Sequence, residues 1–192
     1  MVGRVLRSGD YQRMPWKNGG GTTTEIWKQV SPSGEMLWRL SVADVASDGP
    51  FSLFPGIDRW IMVIEGKGMT LDIEGTGSRR LDRPFDPLLF PGDARTGCQL
   101  IDGPIRDFNF MIARRFGQGS LRVGGMGSIG TMPPNGNIAA VYVLRGSAQT
   151  DDRTLAQGDT WVADRPQAID IKATGDALLA AICINRGQAS GA

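Results

Sequence analysis

The segment MPWKNGGGTTTEIW, Met14 to Trp27, gathers hydrogen-bonding side chains around three consecutive glycines. Glycine backbone reaches positive φ without strain and lets a guest molecule come close. Trp16, Lys17 and Asn18 precede the glycines, and Thr22, Thr24 and Glu25 follow them, offering donors and acceptors. Two readings stand side by side: a recognition loop for a small molecule, or a glycine turn leading into a strand edge. A phosphate-binding P-loop is excluded, because Lys17 comes before the glycines and the GxxxxGK[ST] spacing is absent.

Strand alternation singles out a second group. In MLWRLSVA, Met36 to Ala43, the residues Trp38, Leu40 and Val42 share one face while Arg39 and Ser41 share the other. In IRDFNFMI, Ile105 to Ile112, the residues Phe108, Phe110 and Ile112 fall with Arg106, opposite Asp107, Asn109 and Met111. The polar sides are either solvated outer faces or the lining of a barrel mouth, where Arg39, Ser41, Asp107 and Asn109 converge on a ligand. FSLFPGIDRW, Phe51 to Trp60, adds Phe54, a tight Pro55-Gly56 turn, Asp58 and Arg59. An arginine so placed can grip a carboxylate through two parallel hydrogen bonds. The plainer alternative is a surface Asp58–Arg59 pair.

The chain has no histidine. A Ser-His-Asp triad and a histidine-ligated metal are therefore excluded. Glu25, Asp107, Asp58 and Lys17 remain as acids and bases. No cluster of carboxylates reads as a metal site, so neither metal nor other cofactor is expected.

These side chains need a scaffold, and the punctuation of the chain says which kind. Across 192 residues, 27 glycines and 11 prolines separate short apolar runs, and no segment reads as a helix. Strands are expected at Gly34 to Ala46, Arg59 to Glu65, Met69 to Ile73, Pro87 to Phe90, Ile105 to Ala113, Ile138 to Leu144, Thr160 to Ala163, Ala168 to Ala173 and Ala177 to Ile184. So many strands imply an all-β, closed or sandwiched architecture that hides its edges.

A weak repeat relates the two halves. RWIMVIEG with LLFPGD in the first is echoed by AAVYVLRG with LAQGD in the second. The division expected is an N-terminal barrel over residues 1–116, a Gly/Pro-rich connection or lid over 117–137, and a C-terminal barrel over 138–192.

With 21 basic and 20 acidic residues, the net charge of +1 gives no long-range pull toward nucleic acid or an anionic membrane. Cys98 and Cys183 lie far apart in apolar stretches without CxxC spacing and read as buried free thiols. No apolar leader or run long enough to span a membrane is present, which points to the cytoplasm. A homodimer is left open.

Taken together, MPWKNGGGTTTEIW, WRLSVADV followed by GPFSLFPGIDR, the turn EGKG, FPGD and DFNFM resemble the HutD/Ves family, bicupin proteins linked with bacterial histidine utilisation. The matching stretches cover most of Met14 to Met111, while the second half matches mainly in pattern. The resemblance implies two fused double-stranded β-helices of the cupin, RmlC-like type, with a pocket in the first. Its lining would include Trp16, Lys17, Asn18, Thr24, Glu25, Arg39, Ser41, Phe54, Arg59, Asp107 and Asn109. The implied guest is a small carboxylated metabolite such as N-formylglutamate or formiminoglutamate, bound in a regulatory role. The alternative is a metal-independent isomerase or hydrolase using Glu25 or Asp107 as acid or base, with Lys17 or an arginine stabilising developing charge.

Overall fold

A computed structural model describes residues 3–125, 138–150, 153–169 and 171–186. Sixteen strands run through these residues: β1 (Gly3–Leu6), β2 (Gln12–Pro15), β3 (Gly21–Val30), β4 (Met36–Val45), β5 (Gly49–Pro50), β6 (Ile57–Glu65), β7 (Met69–Ile73), β8 (Gly77–Leu81), β9 (Leu88–Pro91), β10 (Thr96–Leu100), β11 (Ile105–Ala113), β12 (Gln118–Gly124), β13 (Ile138–Gln149), β14 (Thr154–Ala156), β15 (Thr160–Gln167) and β16 (Lys172–Asn185). The described residues include one short 3-10 turn, Ser8–Asp10, and no α-helix.

The chain divides into two compact units, one of residues 12–116 and one that joins the described residues before 12 to those after 116. In the 12–116 unit, a six-stranded sheet of order β2-β3-β4-β11-β6-β9 accompanies a four-stranded sheet of order β5-β10-β7-β8, each antiparallel. Ala43, Val45, Ile61 and Val63 of the larger sheet pack with Met69, Leu71, Leu81 and Cys98 of the smaller one. This is a cupin-like β-sandwich, a two-sheet arrangement that hides the strand faces. Trp38, Leu40, Phe108 and Phe110, on the reverse face of the larger sheet, are buried too, so the central strands β4 and β11 are covered on both sides.

In the other unit, the described strands form one antiparallel sheet of order β1-β15-β13-β16-β12, with β14 paired to β13. Val141, Val143, Leu155, Trp161 and Leu179 make its core.

Three boundaries differ from the sequence expectation. The first residues do not belong with the N-terminal unit: β1 pairs with β15, Gly3 opposite Ala163 through Leu6 opposite Thr160. The Tyr11 hydroxyl fastens that segment, donating to the Gly158 carbonyl at 2.7 Å and meeting Thr160 Oγ1 at 2.8 Å. Part of the expected 117–137 connection is strand β12, paired along β16, and residues 126–137 lie outside the described residues. The break expected before Ala177 is absent, since β16 runs on through Gly175 at φ +60°. Its register against β13 shifts there, so the glycine marks a bulge inside one strand and not the turn that its sequence context suggests.

Both cysteines are free and buried, as expected. No helix among the described residues is long and apolar enough to cross a membrane.

Candidate functional site

The glycine-rich segment folds mostly as a hairpin. Only residues 16–20 form the turn between β2 and β3, and Gly21 onward is strand. Trp16 N–H donates to the Gly21 carbonyl at 2.9 Å and closes the turn, with Gly19 at φ +72°. Asn18 Oδ1 accepts from Gly20 N–H at 3.1 Å. Gly21 is required by contact: a Cβ there would sit 2.4 Å from the Asp44 carbonyl oxygen and 3.0 Å from the Trp16 ring. The indole of Trp16 then donates to Thr23 Oγ1 at 2.8 Å. Turn and strand edge are thus one device that holds Trp16, Lys17 and Asn18 over the sheet.

The inward face of the larger sheet supplies the rest. Cross-strand register aligns Glu25, Ser41, Asn109 and Ile61 in one row and Arg39, Met111, Arg59 and Phe90 in another, with Asp107 beside Ala43 and Val63. Asp107 is 1% exposed, Ser41 3%, and Arg59 and Asn109 each 7%. The polar sides of WRLS and DFN are therefore interior surfaces.

These groups line a cavity of about 600 Å³, a volume suited to a small metabolite, for which pockets run roughly 300–1,000 Å³. Of the residues expected at the site, Trp16, Lys17, Asn18, Arg39, Ser41, Phe54, Arg59, Asp107 and Asn109 line it. Thr24 does not: alternation along β3 turns Thr23 to the cavity in its place. Glu25 is not in the lining either; it is engaged by Arg39, with Nε 2.8 Å from its Oε2. The N–H of Arg39 Nε does not point along that line, so the contact is an ion pair and not an aligned hydrogen bond. Asp58, the expected neighbour of Arg59, points away and pairs with Arg114 at 2.6 Å.

The centre of the site is Arg59. Its guanidinium carbon lies 4.9 Å from the centre of the Phe90 ring, 5.2 Å from Phe51 and 5.3 Å from Phe54. Nη2 reaches Asn109 Oδ1 at 3.4 Å, Nη1 reaches the Ser52 carbonyl at 3.5 Å, and buried Nε has no hydrogen-bond partner. Phe51, Phe90 and Ser52 were not singled out in the sequence. The FSLF run contained a signal, since paired phenylalanines beside an inward arginine suit a cation–π enclosure.

Asn109 bridges the charges: its Nδ2 donates to Asp107 Oδ1 while its Oδ1 faces Arg59. Burial pushes the Asp107 carboxyl up to about 7, with Arg59 and the Asn109 hydrogen bond opposing. Burial pulls Arg59 down to about 10, opposed by Asp107. Lys17, Arg39 and Arg59 against Glu25 and Asp107 leave a cationic surplus, which the rise at Asp107 enlarges. No group of three or more Cys, Asp or Glu side chains suited to a metal occurs among the described residues.

A second hollow of about 600 Å³ opens beside Leu53, Asp72, Glu74 and Arg95. Its charged side chains are exposed, so they offer a guest far weaker interactions than a buried arginine does.

A family model described as HutD matches residues 8–181. An uncharacterised 21.2 kDa protein in the hutC 3′ region of Pseudomonas putida is 49% identical over 114 residues, spanning 57% of this chain and 58% of that protein. Protein Ves of Cronobacter sakazakii is 34% identical over 90% of this chain and 96% of its own length. Among solved structures, HutD from Pseudomonas fluorescens SBW25 superposes with a TM-score of 0.80 at 33% identity, covering 96% of this chain and all of that one.

Proposed function

This chain belongs to the HutD/Ves family, and from that premise we propose that its 12–116 unit binds a small acidic amino acid derivative of histidine breakdown, N-formylglutamate or formiminoglutamate, in a regulatory role. The observation that carries the reading is Arg59, a guanidinium held among three phenyl rings with one donor unpartnered in a metabolite-sized cavity. Removing such a group from water costs several kcal/mol. Each ring contact returns about 0.5–2 kcal/mol, but none satisfies the buried Nε donor, and a buried donor without a partner costs about 1–3 kcal/mol. A carboxylate guest supplies the missing charge-assisted hydrogen bonds. Asn109 and Ser41 offer partners for an amide or formyl group. The hutC-region name of the Pseudomonas putida relative supports the link with histidine utilisation. The repeat of strand and glycine motifs supports a further proposal, that the second unit is a cupin barrel fused to the first.

The test is thermal shift of the full chain across histidine-pathway intermediates. N-formyl-L-glutamate raises Tm saturably, and Arg39→Ala and Arg59→Ala each remove the shift while circular dichroism stays native. No shift with any intermediate overturns the reading.

One observation favours a second reading. A buried carboxyl titrating near 7 inside a cavity has the acidity a general acid or base needs at neutral pH. An enzyme using Asp107 converts N-formyl-L-glutamate or formiminoglutamate on a time scale visible by NMR and loses turnover as Asp107→Asn. A binder returns the compound unchanged.

A further inference from the structure

Asp107 is almost fully buried, lines the cavity, and makes no direct ion pair with Arg59. The Asn109 amide stands between them, donating to Asp107 Oδ1 and accepting from Arg59. The neighbouring strands set the charge around this carboxyl. On β6 it feels Arg59, and on β4 Arg39 lies within the cavity while Asp44 adds repulsion from the outer side. Glu25 of β3 is bound up with Arg39, and Lys17 hangs in the β2–β3 turn. Cys98 of β10 is pushed up to about 12, by burial first and by Asp107 next. Arg106, on the same strand as Asp107, is committed to Asp44 and Glu65.

Arg59 is therefore the cation that both Asp107 and an anionic guest call upon. A carboxylate bound at Arg59 sets a second negative charge near Asp107 in a low-dielectric space, where two like charges cannot both persist. We propose that Asp107 determines the proton balance and the selectivity of this cavity: an anionic guest enters with one proton from solvent, which Asp107 Oδ2 holds as a carboxylic acid that donates a hydrogen bond toward the guest. The inference rests on the carboxylate-binding reading given above. Nothing else changes covalently: one O–H bond forms on Asp107, and Oδ1 goes on accepting from Asn109.

Two consequences follow from the chemistry. Binding is insensitive to pH while Asp107 is already neutral, and weakens by up to about tenfold per pH unit above its own titration. A site that offers an O–H donor also prefers a formyl oxygen, which accepts, over a formimino group, which donates.

Isothermal titration calorimetry of the full chain with N-formyl-L-glutamate, in phosphate and in Tris near pH 8 and in MES and in bis-Tris near pH 5.5, reads proton uptake from the difference in heat between the two buffers at each pH. Uptake approaches one proton near pH 8 and falls close to zero near pH 5.5. Asp107→Asn copies the neutral acid, so it binds at both pH values with no uptake and, near pH 8, at least as tightly as the natural protein. Formiminoglutamate binds roughly tenfold more weakly than N-formyl-L-glutamate near pH 6. Binding near pH 8 with equal heats in both buffers overturns the inference and leaves the carboxylate reading intact. Uptake that persists in Asp107→Asn, or equal binding of the two compounds, also overturns it. Absence of heat under every condition defeats the carboxylate reading, and this inference falls with it.

Discussion

Arg59 Nη2 lies 3.4 Å from Asn109 Oδ1. Through that amide the guanidinium is linked to Asp107 without touching it. The arrangement keeps a buried cation beside a carboxyl whose charge burial suppresses, and so leaves the cation available to something else.

Replacing Arg59 by methionine separates structure from binding. The apolar side chain fills similar space among Phe51, Phe54 and Phe90 and removes a buried cation whose desolvation costs several kcal/mol, while Asp107, which makes no ion pair with it, stays neutral below its own titration near 7. Tm of Arg59→Met is equal to or above that of the natural protein, while N-formyl-L-glutamate affinity drops at least about tenfold. A loss of both would show that Arg59 is a structural residue.

Asp107 makes its own mark on stability. Its ordinary value is 3.8 and its value in the fold about 7, so between these the folded chain keeps a proton that the unfolded chain has released. Its contribution to stability falls as pH rises through that window, by up to about 1.4 kcal/mol per pH unit, and levels off above it. Asp107→Asn carries no such dependence. In urea melts, the stability of the natural protein relative to Asp107→Asn declines from pH 4 to 7; parallel pH curves contradict this.

The alternation in WRLS and DFN told which side chains share a face, because period 2 is written directly into a strand. It did not tell whether that face looks inward, since an antiparallel sheet with a wet side reads the same. Burial of Asp107 and Ser41 decides the matter. Thr24 was misassigned for want of a register. The glycine turn does lead into a strand edge, β3, whose register shift between Glu25 and Trp27 leaves no trace in composition. Phe90 was out of sight because it joins Arg59 only through the β6–β9 pairing, and β1 was misplaced because its partner lies over 150 residues away.

Gly21→Ala tests the hairpin that carries Trp16 and Lys17. The added methyl meets the Asp44 carbonyl oxygen at 2.4 Å, and backbone must move, at a cost of about 1–3 kcal/mol. The urea midpoint falls accordingly and ligand affinity weakens with it, whereas Gly9→Ala, which meets nothing within 4 Å, leaves affinity unchanged. A silent Gly21→Ala would mean that the close approach is not maintained.

Glu25→Gln removes the charge paired with Arg39 at 2.8 Å. With both side chains largely covered, at 15% and 19% exposure, the fold loses stability. The freed cation strengthens N-formyl-L-glutamate binding by a few-fold, an effect that added salt diminishes. Weaker binding in Glu25→Gln would instead make Glu25 a direct partner of the guest.

The most direct measurement is a crystal structure of the full chain grown with N-formyl-L-glutamate. One carboxylate of the guest is expected within hydrogen-bonding distance of Arg59 Nε or Nη, inside the enclosure of Phe51, Phe54 and Phe90 and beside Asn109. Electron density for the compound elsewhere, with Arg59 still facing an unoccupied cavity, contradicts it.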